Sequence, residues 1–190
     1  MRNWKTISLL TLAVIVSAFL VGRSSSNRRG EVTAAHAAVT NAPASAAKRG
    51  TEVGNLAPEF QLARMDGSML SLGDLRGQPA VLVFWAAWCP FCKEEAPHVN
   101  KLSTEYEARG VHVLGINVHD SQARTEWGIK DFGIRYSVAR DADGNAARDY
   151  NVEGIPTVVF LDRKGAVRYV GNHVANDYSE RLDALLAEKE

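Results

Sequence analysis

Residues 80–92 read Ala-Val-Leu-Val-Phe-Trp-Ala-Ala-Trp-Cys-Pro-Phe-Cys, and this order decides the fold. Ala80 to Ala86 is an unbroken apolar run of the kind that forms a strand buried on both faces. A sheet buried on both faces must be covered by helices, so the run implies a layered α/β domain. Cys89 and Cys92 follow directly, with Pro90 at a position that suits the first turn of a helix, where no backbone donor is needed. The spacing predicts a strand, a turn carrying Cys89, and a helix over 90–109 ending at Gly110.

Working outward, Val111–Val118 is a second buried strand, and Gln122–Phe132 has helical spacing. Tyr136–Ala139 reads as a short strand and Asn145–Tyr150 as a short helix. Thr157–Leu161 and Ala166–Val170, joined by Asp162-Arg-Lys-Gly165, form an antiparallel hairpin. Asp177–Lys189 closes the chain as an amphipathic helix with Tyr178, Leu182, Leu185 and Leu186 on one side. Upstream, Phe60–Leu62 and Met69–Leu72 flank Gly67 as another hairpin. The order implies a central mixed β-sheet flanked by helices, with an N-terminal β-hairpin extension and no internal repeat.

The 190 residues are 46% apolar and 23% charged, as in an ordinary globular protein, and the formal net charge is zero. Zero charge argues against a nucleic-acid partner held by bulk positive charge. The average hides a split. Residues 1–50 hold seven Lys/Arg and only Glu31, a net +6, whereas 51–190 hold fifteen Lys/Arg and twenty-one Asp/Glu, a net −6. Ile7–Gly22 is sixteen residues without a charge behind a short basic head. That length falls between a secretory core and a spanning helix, and residues 1–22 are expected to act as a signal-anchor. The residues after it, Arg23-Ser-Ser-Ser-Asn-Arg-Arg29, make a poor cleavage site, which favours an uncleaved anchor. Residues 23–50 are rich in Ser, Ala, Gly and Asn, lack aromatics, and read as a linker, with 51–190 as the folded domain.

The two cysteines place any sulfur chemistry in one spot. A thiolate is the reacting species in disulfide exchange, and the N–H groups at a helix start favour the anion. Cys89 is therefore the expected nucleophile, and Cys92, one turn further in, the resolving thiol. Other uses of the pair fit less well. A zinc site needs four ligands, and His98, His112, His119 and His173 are scattered, so no metal is expected. A static structural disulfide would close a very small loop at the mouth of a helix. A thiol peroxidase would need Thr or Ser and Arg near its cysteine, yet no Thr or Ser lies between Gly73 and Leu102. A binding module that holds one partner without turnover is the other class left open.

Five motifs in order make residues 55–188 similar to thioredoxin-fold thiol–disulfide oxidoreductases of the TlpA/ResA/CcmG (DsbE) type. Ala57-Pro-Glu-Phe60 resembles the family's A-P-x-F opening, and Leu72–Gly77 its L-x-D-L-x-G segment. Val83–Cys92 resembles its F-W-A-x-W-C-x-x-C core, Lys93–Pro97 the segment ending in E-x-P, and Gly154–Thr157 the G-x-P-T loop. The resemblance implies a thioredoxin-like fold with Pro156 cis beside the cysteines. Lacking an N–H, Pro156 leaves the backbone edge free to pair with an incoming peptide through neighbours such as Ile155. Trp88, Pro90 and Phe91 then shape the docking surface, while Trp85 and Trp127 belong to packing.

Glu95 is the carboxylate the resemblance singles out. It lies three residues after Cys92, on the adjacent turn of the same helix face. Partly buried, it could take and return the proton of the resolving thiol. Ordinary thioredoxins carry an acid in the preceding strand, where this chain has Val83. Glu94 should face solvent. The resemblance implies an enzyme needing no cofactor beyond the Cys89–Cys92 pair, tethered by 7–22 on the extracytoplasmic side of a bacterial cytoplasmic membrane. It implies a reductant of partner disulfides, with apocytochrome c as the family's common partner and a membrane thiol transporter as electron donor. It leaves a disulfide oxidase or isomerase open.

Overall fold

The computed structural model describes residues 48–188. The expected anchor over 7–22 and the linker up to residue 47 lie outside the described residues. The described chain forms β1 (Gln61–Arg64), β2 (Met69–Ser71), β3 (Ala80–Trp85), α1 (Pro90–Tyr106), β4 (His112–Val118) and α2 (Gln122–Asp131). It continues with β5 (Ser137–Asp141), α3 (Asn145–Asp149), β6 (Thr157–Leu161), β7 (Val167–Gly171) and α4 (Tyr178–Ala187).

The seven strands make one sheet in the order β2-β1-β5-β4-β3-β6-β7. β3, β4 and β5 pair in parallel, and the other neighbours are antiparallel. The sheet is therefore mixed, with β4 at its centre and β3 beside it. Every residue of β3 is buried. Val81, Val83 and Trp85 pack with Val99, Leu102 and Tyr106 of α1 and Leu182 of α4. Ala80, Leu82 and Phe84 pack on the other face with Leu72, Leu114, Ile116 and Tyr150. This period of two on a two-faced core is why the sequence shows a run rather than an alternation. Each large side chain so buried contributes about 1.5–3 kcal/mol.

The N-terminal hairpin forms around Gly67, and β1 pairs with β5, which extends the sheet beyond its parallel part. Its second strand is shorter than the sequence suggests. Asp74 accepts the Ser71 N–H and hydroxyl, both at 2.7 Å, and turns Leu72–Leu75 into a 3₁₀ turn instead of strand. Helix α1 continues through Pro97, then tightens into a 3₁₀ turn and stops at Gly110, which adopts a left-handed φ of 93° that favours glycine. β5 begins at Ser137, one residue later than expected, and leaves Tyr136 buried just ahead of it.

Residues 48–57 dock on the turn between β6 and β7. The Ala57 N–H donates to Gly165 O at 2.9 Å, Gly54 N–H to Val167 O at 2.8 Å, and Val167 N–H to Asn55 O at 2.8 Å. Lys48 O accepts the Leu56 N–H at 2.9 Å. Trp127 departs from its expected role in packing. It is 50% exposed, and the Arg124 guanidinium sits 5.4 Å above its ring. At this point α2 approaches the sheet through Gly128, not through the indole. A Cβ on Gly128 would stand 2.7 Å from Ala87 Cβ and 2.9 Å from the Trp85 ring. No helix among the described residues is long and apolar enough to cross a membrane.

Candidate active site

Strand β3 ends at Trp85, and four residues later Cys89 caps α1. Cys89 and Cys92 form a disulfide. The Cys92 N–H donates to Cys89 Sγ at 3.1 Å, so the helix start directs a backbone dipole at this sulfur. Pro90 occupies the first helical position, as its missing donor favours. On the far side, Ile155 O lies 3.5 Å from Cys89 Sγ, where it can accept from the thiol of the dithiol form. The Ile155–Pro156 bond is cis.

Cys89 is only 3% exposed, yet Trp88 and Phe91 beside it are 60% and 66% exposed. Two large apolar side chains thus stand in water around a nearly buried sulfur. Grooves open on both sides. A cavity of about 400 Å³ is lined by Trp88, His119, Arg148, Glu153 and Ile155. Another of about 380 Å³ is lined by Phe91, Glu94, Glu95, His98 and Pro156. Ile155 borders both grooves.

Glu95 is buried on α1 and Glu94 is exposed, as the helical spacing predicts. Glu95 Oε1 accepts the Val174 N–H at 2.6 Å from the loop after β7, and Oε2 lies 3.2 Å from His98 Nδ1. Beneath it, burial first and the Glu95 charge second push the Tyr136 phenol above its ordinary value. Val83, where ordinary thioredoxins carry an acid, is packed in the core.

A second buried carboxylate was not legible as part of the site. Asp120 Oδ2 accepts the Ala87 N–H at 2.7 Å and the Asn117 side-chain amide at 3.0 Å. Thr125 Oγ1 donates to Asn117 Oδ1 at 2.7 Å. This network fixes Ala87, two residues before Cys89. Asn117 and Val118 complete β4, where the run Val111–Val118 places them, and His119 beyond it takes a positive φ of 59° over Gly144. The helical spacing of Glu95 and His98 is the one sequence signal that could have joined His98 to the site. Among the described residues, no group of three or more His, Cys, Asp or Glu converges where a metal could sit.

A disulfide that opens a helix, half-sunk between two grooves and rimmed by exposed aromatics, is arranged for exchange with cysteines on another protein. The domain is thioredoxin-like, and the protein is a thiol–disulfide oxidoreductase. The chain belongs to the AhpC/TSA family, whose model matches residues 53–170. It is 31% identical over 140 residues to the thiol–disulfide oxidoreductase ResA of Geobacillus kaustophilus, covering 73% of this chain and 80% of ResA. Among solved structures it is similar to a thioredoxin-family thiol:disulfide interchange protein of Chlorobium tepidum, with a TM-score of 0.60, 28% identity, and coverage of 70% of this chain and 96% of that one. A secreted disulfide oxidoreductase of Mycobacterium tuberculosis, homologous to E. coli DsbE, gives a TM-score of 0.56 at 27% identity over 68% of this chain and 96% of its own.

Proposed function

We propose that the protein reduces disulfides in partner proteins from a position tethered outside the bacterial cytoplasmic membrane. Residues 7–22 form the anchor, and the domain works on the extracytoplasmic side. Cys89 attacks a partner disulfide as the thiolate and forms a mixed disulfide. Cys92 resolves it and releases the partner as a dithiol. Glu95 takes the Cys92 proton in that step. Trp88, Pro90, Phe91, Ile155 and Pro156 make the docking surface. The partner is apocytochrome c during cytochrome c maturation, and a membrane thiol transporter returns the electrons. No cofactor beyond the cysteine pair takes part.

The observation that carries this reading is the Cys92 N–H aimed at Cys89 Sγ at 3.1 Å, which favours the anion of the outer cysteine and supports its reading as the nucleophile. The buried Glu95 supports the proton step. The similarity to ResA supports thiol–disulfide exchange, and the direction and the partner class rest on the motif resemblance to the TlpA/ResA/CcmG type.

The reduction potential of Cys89–Cys92 tests the direction. A value near thioredoxin's, about −270 mV or lower, makes the protein an electron donor. A value of about −120 to −180 mV, the range of oxidants and isomerases, overturns the reductase reading. Trapping tests turnover. A Cys92→Ser variant should hold partners as mixed disulfides at Cys89, whereas a partner held equally well by the double cysteine variant would indicate a binder. Hydrogen peroxide should consume the dithiol no faster than it consumes a small free thiol.

A further inference from the structure

Conversion between dithiol and disulfide moves protons as well as electrons, and a buried acid that receives a proton must pass it on before the next turnover. Glu95 has two oxygens for this. Oε1 is occupied by the Val174 N–H at 2.6 Å. Oε2 faces His98 Nδ1 at 3.2 Å. The Glu95 side chain is 11% exposed and that of His98 69%, so the pair spans the boundary between interior and water. The Tyr136 phenol on the inner side offers no exit, because burial above all holds it in the protonated form. Glu95 and His98 also form the wall between two cavities, of about 380 Å³ beside Phe91 and Pro156 and about 370 Å³ beside Tyr178.

We propose that His98 is the positioning residue through which Glu95 exchanges its proton with solvent. The proposal rests on the reading of Glu95 as the acid–base partner of Cys92. In the resolving step the Cys92 thiol gives its proton to Glu95. The Cys92 sulfur attacks Cys89 Sγ, the Cys89–Cys92 bond forms, and the bond from Cys89 to the partner sulfur breaks. The partner leaves as a thiolate with the electron pair, so two electrons have passed from the dithiol to the partner disulfide. Glu95 then gives the proton to His98 Nδ1, and the ring releases one from its other nitrogen to water. Imidazole suits this task because it can gain a proton at one nitrogen while losing one from the other. The titratable and charged groups that face His98 are Glu94, Glu95 and Lys101 from α1, His173 from the loop after β7, and Tyr178 from α4. Of these, Glu95 is the one within hydrogen-bonding reach of the ring.

The test compares His98→Ala, His98→Gln and Glu95→Gln in the full chain. Resolution of a preformed mixed disulfide with a cysteine peptide is followed across pH in weak buffer. His98→Ala should slow resolution about tenfold, a modest fraction of a general acid–base effect, and flatten its pH profile. Added free imidazole should restore the rate. His98→Gln, which can hydrogen-bond Glu95 but cannot carry a proton, should be as slow and equally restored. Glu95→Gln should be slow and unaffected by imidazole. Unchanged rates and profiles in both His98 variants, with Glu95→Gln slow, would overturn the role of His98 and leave that of Glu95 standing. A His98→Gln variant at the wild-type rate beside a slow His98→Ala that imidazole cannot restore would reduce His98 to a hydrogen-bonding prop, and also overturns the proposal. A wild-type rate in Glu95→Gln would remove the reading on which the proposal rests.

Discussion

The Glu95 carboxylate and the Val174 backbone N–H meet at 2.6 Å and tie the active-site helix to the loop after β7, across 79 residues of sequence. The acid is thereby held in one orientation beside the helix turn that carries Cys92. Glu95→Gln keeps an oxygen for Val174 but removes the proton acceptor. It should slow the resolving step by roughly 10²-fold and move the Cys92 titration, with the unfolding midpoint nearly unchanged. Rapid-mixing kinetics and thiol titration read the first two, and thermal unfolding the third. Glu95→Ala would also leave the Val174 donor unpaired, at a cost of about 1–3 kcal/mol.

Asp120 receives two buried donors, the Ala87 N–H and the Asn117 amide. Asp120→Ala strands both and should destabilise the domain by roughly 2–4 kcal/mol. Because Ala87 leads into Cys89, the same variant should alter the thiol reactivity of Cys89. Denaturant unfolding and alkylation rates measure the two effects. An unchanged unfolding midpoint would mean that water replaces the carboxylate at no cost.

Gly128 lets α2 lie against Ala87 and Trp85. In Gly128→Ala the added Cβ meets Ala87 Cβ at 2.7 Å and backbone Ala87 Cα at 3.2 Å, neither of which is the far end of a flexible side chain. The helix must move, and a loss of about 1–3 kcal/mol is expected by denaturant titration. The gain in helix propensity from Gly to Ala, about 1 kcal/mol, works the other way and is the smaller effect.

Trp88 stands in solvent beside a buried sulfur. Trp88→Ala should change stability by less than about 0.5 kcal/mol, since little packing is lost. If the ring docks the partner, KM should rise about tenfold, in line with an aromatic anchor, while the single-turnover rate at saturation stays close to wild type. A fall in the saturated rate with KM fixed would assign Trp88 to the chemistry and not to docking.

Stability should fall at both ends of the pH range. Burial raises the Glu59 carboxyl, but its bonds to Arg49 and Arg76 outweigh this and hold it below the ordinary 4.5. A depressed carboxylate contributes its full stability above the ordinary value, and loses it as pH falls through the folded one. Glu59→Gln should flatten the acid limb of the unfolding curve. Tyr178 has the opposite shift. Its hydrogen bond to Glu105 first, and burial second, push the phenol from 10.0 up to about 12. Its contribution is complete below pH 10 and lost as pH rises through 12. Tyr178→Phe should flatten the alkaline limb.

The parts of this structure legible in the sequence are those encoded locally. Ala80–Trp85 shows its burial in its composition, Gly110 its left-handed turn, and Cys89-Pro90 the helix start. The place of Glu95 follows from three residues of helix. Contacts between distant segments leave no such mark. Nothing near Asp120 in sequence points to Ala87, thirty-three residues away. The antiparallel pairing of β1 with β5 depends on how the sheet closes, and no local pattern carries it. Trp127 shows the converse error, since a large aromatic on a helix suggests packing, yet Gly128 beside it makes the close contact. Even Leu72 was misplaced by one residue because the Ser71–Asp74 turn competes with the strand.

The docking of residues 48–57 on the β6–β7 turn fixes where Lys48 sits on the domain. Pro156 and the sulfurs sit at the start of β6, and that turn lies past its end. Five residues of strand separate them, about 17 Å. Lys48 therefore lies at the opposite end of β6 from the disulfide. A bulky label on the Lys48 amine would thus sit away from the sulfurs and should leave their exchange with a partner unhindered.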